Sequence, residues 1–218
     1  MDIFLGYLFT YLYVFLLLGV STFLKSKYKV EGEVTRKIVH IGCGFSWFIM
    51  SRFFGATIHL LIPPLTFVAL NYISYKKDTF SGMERSDKSS MGTVFYPVSM
   101  AILSGYVVFV DDKMLLPYGV ALLCLSLGDG LAPIFGKIQK GNLPLIDGKT
   151  LWGTLTVLAT SFLVILAMSL LYSVDYTIRD MALAAVFACV LELFGKRGFD
   201  NIFIPLGVAF LLYATAIL

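Results

Sequence analysis

From Ile3 to Leu24 the chain carries no charged residue, and a second run of this kind extends from Leu151 to Val174. A helix needs about 20 apolar residues to cross the hydrocarbon core of a bilayer. Runs of this length leave few choices: buried in lipid, every backbone N–H and C=O must be satisfied internally, which favours helices. The composition agrees. Of the 218 residues 58% are hydrophobic and only 14% are charged, against about 25% charged in an ordinary soluble domain, and the mean hydropathy is +0.85. The sequence therefore predicts an all-α integral membrane protein, one multi-pass domain over residues 1–218. Met1-Asp2 supplies no basic segment ahead of the first apolar run, so that run is expected to stay as a helix rather than be removed as a leader.

Eight spans are predicted, near 2–24, 38–54, 56–75, 93–110, 114–131, 152–172, 181–195 and 201–218. Loops after the odd-numbered spans hold fourteen of the seventeen Lys and Arg residues, and the opposite side holds Arg52, Lys113 and Arg179. Bases accumulate on the cytoplasmic side of membrane proteins, so both termini are expected outside and the odd-numbered loops in the cytoplasm. The net charge of +3 is small and its bases are dispersed, which excludes nucleic acid as a partner and suits orientation in the membrane. Cys43, Cys124 and Cys189 lie inside apolar runs without metal-binding or redox spacing and read as packing residues. His59 reads as an interfacial residue.

The second, fifth and seventh spans are short of uncharged residues. Measured inward from the outer charges, Asp129 falls roughly 6 Å below the cytoplasmic boundary, and His40 and Glu192 roughly 12 Å below it. An ionisable group at such depth costs about 2.5–3.5 kcal/mol unless it meets water or a partner. Local thinning and snorkelling suffice for Lys37 and Arg52, but short acidic side chains reach too little. Several such groups on one side imply a polar cavity recessed into the cytoplasmic leaflet.

The groups available there form a consistent set. Carboxylates with an Asn amide and hydroxyls suit a hard cation such as Mg²⁺ held with substrate phosphates. Lys and Arg beside them, with glycine-rich turns, suit a polyphosphate. Phosphoryl or nucleotidyl transfer needs these parts: charge neutralisation, in-line positioning and a group to take the hydroxyl proton. A familiar phosphate loop is absent: in "GNLPLIDGKT", six residues separate Gly141 from Gly148, whereas the P-loop spacing is four. Met91 to Pro97 is expected to flank the site, with Pro97 permitting a helix kink.

Four stretches in order carry a family resemblance. "EVTRKIVHIGCG" from Glu33 resembles an R-K-x-x-H helix start, and "GDGLAPIFGK" from Gly128 a G-D-x-x-A-x-x-x-G-[KR] motif. "GKTLWGTLTVL" from Gly148 resembles K-S-x-x-G-[ST], and "LELFGKRGFDNIFIPL" from Leu191 a closing E…D-N-x-x-[IV]-P-L. Together, over residues 33–206, they resemble the membrane-bound CTP-dependent lipid kinases: dolichol kinase, phytol and farnesol kinase, and diacylglycerol kinase of the yeast type. Thr150 and Thr154 stand where the family commonly has Ser, which keeps the hydroxyl.

The resemblance implies a γ-phosphate donor, CTP favoured over ATP, and a lipid alcohol acceptor (polyprenol, phytol, farnesol or diacylglycerol) entering from the leaflet. It implies that Asp129, Asp200 and Asn201 hold Mg²⁺, and that Arg36, Lys37, Lys137 and Lys149 contact phosphate oxygens. Thr150 and Thr154 would contact phosphate or metal. His40, Glu192 and Asp129 are the candidates for the group that takes the hydroxyl proton, and the sequence does not choose among them. Plainer roles compete: a helix cap for Asp129, Thr150 and Thr154, and ordinary loop charges for the lysines. Two other functions stay in view, a cytidylyltransferase acting on a lipid phosphate and a small transporter or flippase. The H-G-G and C-terminal D-R of the first are absent, and the midplane sites expected of the second are not indicated. The sequence leaves homo-oligomer formation open, and allows a bacterial or archaeal inner membrane or the endoplasmic reticulum.

Overall fold

The structure, a computed structural model, describes residues 2–77, 90–138 and 143–217. Arg85, Lys88 and Lys140, counted above among the loop bases, lie outside the described residues. Eight helices follow in order: α1 (Ile3–Lys27), α2 (Gly32–Phe54), α3 (Ile62–Lys77), α4 (Gly92–Phe109), α5 (Leu115–Ile138), α6 (Leu151–Tyr172), α7 (Ile178–Phe194) and α8 (Asp200–Ile217). Local signals start several of them. The Asp2 carboxylate accepts from the N–H groups of Phe4 and Leu5 at 3.0 and 3.2 Å, and Thr177 with Asp180 forms a capping box at α7. Among the described residues the β-structure is limited to an isolated bridge between Pro144 and Thr150.

Helix α5 is the centre of the bundle, packed by α2, α6 and α8, while α1 lies on α2, α3 on α4, α6 on α7, and α8 on α4 and α7. Tyr118, Val120, Ala121, Leu122 and Leu125 of α5 have no exposed surface. The α2–α5 seam is close because glycines line it. A Cβ on Gly119 would lie 2.2 Å from Trp47 Cε2, and one on Gly130 would lie 2.3 Å from Ile41 Cγ1. Small residues bring membrane helices together where hydrophobicity alone gives no drive for helix association. The periphery is apolar: Phe4, Leu16, Leu163, Leu170 and Phe194 are exposed, a surface that water would penalise and lipid does not.

Among the described residues five segments are long and apolar enough to cross a membrane: Ile3–Lys27, Ile58–Lys77, Gly92–Phe109, Asp112–Ile138 and Leu151–Tyr172. They make this a multi-pass helical bundle. Three sequence-based boundaries are corrected: α3 begins at Ile62, after a short turn over Ile58–Leu60, rather than near 56, and α2 and α5 differ as well. Helix α2 begins at Gly32 rather than near 38, so Arg36, Lys37 and His40 share one continuous helix. Helix α5 runs to Ile138 rather than 131, so Asp129 lies inside a helix and caps none. Neither Gly128 nor Gly130 breaks α5, because neighbouring helices pack against both: Val157 and Thr160 at Gly128, Ile41 at Gly130. Cys124 and Cys189 are buried, Cys43 is half-buried, and all three are free.

The end of the bundle opposite the motif residues is tied by polar contacts. Tyr7 Oη lies 2.8 Å from His59 Nδ1, and the Tyr213 hydroxyl donates to Asp111 Oδ2 at 2.6 Å. That bond, and then the Lys113 N–H, hold the Asp111 carboxyl below its ordinary value. Stability from a depressed carboxylate is present above the unfolded-state value, near pH 4, and is lost as pH falls through the folded one. The thermal midpoint in detergent should therefore fall less steeply for Asp111→Asn than for the unaltered protein as pH is lowered past about 4. A second expectation concerns the α2–α5 seam. Gly119→Val should lower the unfolding free energy by about 1–3 kcal/mol through displacement of Trp47, visible as a lower thermal midpoint.

Candidate active site

Four helices, α2, α4, α6 and α8, begin at the same end of the bundle and border one cavity of about 780 Å³. Helix N-termini present free N–H groups and the positive end of the helix dipole, which favours anions. Glycine shapes this mouth. Gly198 has φ +92°, and a Cβ there would lie 2.5 Å from the Gly92 nitrogen, so the α7–α8 turn rests directly on the start of α4.

Helices α2 and α5 supply the first charge group. Lys37 Nζ donates to Asp129 Oδ2 at 2.7 Å and to the Asp129 carbonyl at 2.8 Å. His40 Nε2 lies 3.2 Å from the same Oδ2, within ion-pair range but without hydrogen-bond alignment. Its ring stands edge-on to Tyr96 at 5.0 Å, and the Tyr96 hydroxyl lies 2.6 Å from Ser126 Oγ. The one-turn spacing of Lys37 and His40 on α2, with the close approach at Gly130, makes this three-residue contact.

The segment leading into α6 and the end of α7 supply the second group. Lys149 Nζ lies 2.7 Å from Glu192 Oε1 and also donates to the Glu192 carbonyl. At the head of α8, Asn201 Nδ2 donates to Asp200 Oδ1 at 2.8 Å and to the Gly198 carbonyl at 3.1 Å. The three sets are close enough to act as one: Asp200 and Glu192 each feel the charges of Asp129, Lys149 and Lys37.

Among the described residues six buried polar atoms of cavity-lining residues have no hydrogen-bond partner: Thr10 Oγ1 on α1 and, around the charge groups, His40 Nε2, Thr93 Oγ1, Thr154 Oγ1, Glu192 Oε2 and Asn201 Oδ1. Buried polar groups are nearly always hydrogen-bonded, so such a cluster marks atoms that a ligand, an ion or water satisfies. Among the described residues no three His, Cys, Asp or Glu side chains gather into a cage for a metal ion. Mg²⁺ needs none when it is held by one or two carboxylates and substrate phosphates, and Asp200 with the unpartnered Asn201 Oδ1 fits that mode.

Seven sequence-predicted residues thus come together: Lys37, His40, Asp129, Lys149, Glu192, Asp200 and Asn201. The others stand apart in different ways. Arg36 turns to Glu33, one helical turn away. Lys137 is largely exposed at the mouth, 3.9 Å from Glu31. The Thr150 hydroxyl accepts from Gly153 N–H at 3.2 Å and so caps α6, whereas Thr154, one turn on, keeps a free oxygen. Sequence reasoning assigned no role to Glu33 or to Asn71, whose amide donates to the Thr93 carbonyl at 2.8 Å on the cavity wall. The signal for Asn71 was present: an amide inside the third apolar run.

The helices and the recessed charge cluster define a multi-pass membrane protein with a buried site suited to a polyanion. The chain is 31% identical over 196 residues to phytol kinase of Synechocystis sp., a match covering 85% of this chain and 81% of that protein. It belongs to the polyprenol and phytol kinase family. No protein-family model matches it, and no solved structure does.

The Lys37–Asp129 pair gives a direct test of the site's architecture. Removing one partner of a buried ion pair costs about 3–5 kcal/mol, while replacing both with apolar groups is often neutral. Lys37→Met should therefore lower the thermal midpoint markedly, and Lys37→Met with Asp129→Leu should recover much of the loss.

Proposed function

We propose that this protein transfers the γ-phosphate of a nucleoside triphosphate, CTP favoured, to the hydroxyl of a lipid alcohol in a Mg²⁺-dependent reaction. The observation that carries the reading is the set of five unpartnered polar atoms around a charge cluster where four helix N-termini meet. Kinship to a phytol kinase supports the same chemistry. The alcohol oxygen attacks the γ-phosphorus, a new O–P bond forms, the bond to the β–γ bridging oxygen breaks, and the nucleoside diphosphate leaves.

Each residue has a task in this scheme. Lys149, Lys37 and Arg36 neutralise phosphate oxygens, with Lys137 at the mouth and the α4 and α6 N-termini adding N–H donors. The Thr154 hydroxyl donates to a phosphate oxygen, and Thr150 fixes the α6 terminus that presents it. Glu192 Oε2 faces the cavity without a partner and takes the proton of the attacking hydroxyl. Lys37 donates to both the carboxylate and the carbonyl of Asp129, with His40 beside it, so Asp129 anchors the α2 side chains. His40 Nε2 is left to bond the incoming alcohol or a phosphate oxygen.

Asp200 and Asn201, with Asp129, would hold Mg²⁺, which would offset charge on the polyphosphate. The inner cluster sets three carboxylates, Asp129, Glu192 and Asp200, against two lysines, Lys37 and Lys149, while Arg36, Lys137, Lys196 and Arg197 border the same cavity, so a divalent cation and a polyphosphate both find counter-charges there. The mouth faces the cytoplasm in this reading, because the basic loops border it and nucleotides are cytoplasmic.

Purified protein with Mg²⁺ and CTP labelled at either the α- or γ-phosphate, offered phytol, farnesol, polyprenol, diacylglycerol or phosphatidate, tests the reaction. Label from the γ-position should enter an alcohol, and Asp129→Asn and Glu192→Gln should each lower turnover by about 10²–10⁴-fold. Label from the α-position would mean cytidylyl transfer, and label from neither, with ATP also inert, would overturn the catalytic reading.

A further inference from the structure

The cavity does not end at the charge cluster. It continues as an apolar arm between the α1–α2 pair and the α3–α4 pair, and each helix gives it one stripe. Thr10, Val14 and Leu18 of α1 line it at one-turn spacing, as do Val39, Cys43, Ser46 and Met50 of α2. Pro63, Pro64 and Phe67 come from α3, and Met100 from α4. The two helix pairs are joined mainly toward the far end, where Tyr7 meets His59 and the Tyr11 hydroxyl lies 2.9 Å from Thr66 Oγ1. Met50 is the last residue of α2 on the cavity wall, and Phe54, one turn further on, and Leu60 are almost wholly buried and do not line it. An apolar slot of this kind in a membrane bundle needs contents, because close-packed interiors do not leave such space empty.

Resting on the proposed alcohol kinase reading, we propose that this arm holds the hydrocarbon chain of the acceptor as a single tail, and that its closed end sets the chain length accepted. The arm opens directly beside His40 and Asp129, so a chain seated in it delivers its hydroxyl to the charge cluster. From His40 to Met50 is ten residues of one helix, about 15 Å, which is half the hydrocarbon thickness of about 30 Å. The substrate class is therefore a single-chain alcohol of one-leaflet length, such as phytol or farnesol. A long polyprenol would overrun the stop. Two-tailed diacylglycerol is disfavoured by volume, since about 780 Å³ is the space of one drug-sized ligand and must also take part of the polyphosphate. Ser46 and Thr10 are the small residues that keep the arm open, and both are buried. The Ser46 hydroxyl donates to the Cys43 carbonyl at 2.6 Å, so no polar demand from Ser46 faces the chain.

The test is a chain-length series of prenyl alcohols with Ser46→Phe and Met50→Ala. Ser46→Phe blocks the arm and should lower kcat/KM for phytol about tenfold or more, leaving the shortest alcohols and CTP binding unchanged. Met50→Ala moves the stop and should shift the optimum to longer chains. Equal losses at every chain length in Ser46→Phe, with its thermal midpoint retained and no length shift in Met50→Ala, would overturn the proposal. A photoreactive phytol analogue separates this from failure of the kinase reading, because it needs no turnover. Cross-links to peptides bearing Met50 and Pro63 would support the arm even in an inactive preparation. Labelling confined to the outer faces, at Phe4 or Leu163, would overturn it.

Discussion

A carboxylate in the middle of a membrane helix has to be met by positive charge, and Asp129 is met by Lys37 at 2.7 Å with His40 at 3.2 Å. Much else depends on that contact. It requires α2 to cross α5 at the level of Asp129, which the glycines along the seam allow, and it requires α2 to extend back to Gly32 so that Lys37 is on a rigid element. With α2 and α5 fixed, α6 and α8 pack on the other sides of α5, and their N-termini arrive at the same end of the bundle. The charge cluster and the central helix are thus one construction. This is why the site tolerates ionised groups that an isolated helix would insert only at a cost.

The cluster is largely paired with itself and yet incomplete. Lys37 and Lys149 each have a carboxylate, so the charges are stabilised before any ligand arrives. Glu192 Oε2, Asn201 Oδ1, Thr93 Oγ1 and Thr154 Oγ1 remain without partners. Preorganised dipoles and charges aimed at a polyphosphate are the main means by which a protein can assist phosphoryl transfer, since the reaction asks for little covalent help. In the reaction proposed above, the apolar arm is the complementary half: a route by which a water-insoluble alcohol meets a water-soluble donor without either leaving its own phase.

The sequence was a good guide to some residues and a poor one to others, for physical reasons. Asp129, Glu192 and His40 were legible because a charge inside an apolar run is costly and so marks a partner or a cavity. Their partners were less legible. Arg36 and Lys37 are adjacent in the chain, yet a rotation of about 100° between successive helical residues sends one to Glu33 and the other to Asp129. Thr150 and Thr154 belong to one motif, and the first closes the α6 terminus while the second faces the cavity. The fifth span was expected to end near 131, but Gly128 and Gly130 pack against α6 and α2 and α5 runs on to Ile138.

The sequence by itself determined that the chain is a multi-pass helical protein, that its bases gather in alternate loops, and that its candidate site residues fall in four motifs. These follow from hydrophobicity, charge and local capping, which act over a few residues. Only the tertiary structure decided which charges pair, which polar atoms stay free, and that an apolar arm runs from the cluster between α1 and α3. Those features depend on how helices distant in sequence cross and in what register, and the close approach at Gly119 and Gly130 sets that register for α2 and α5.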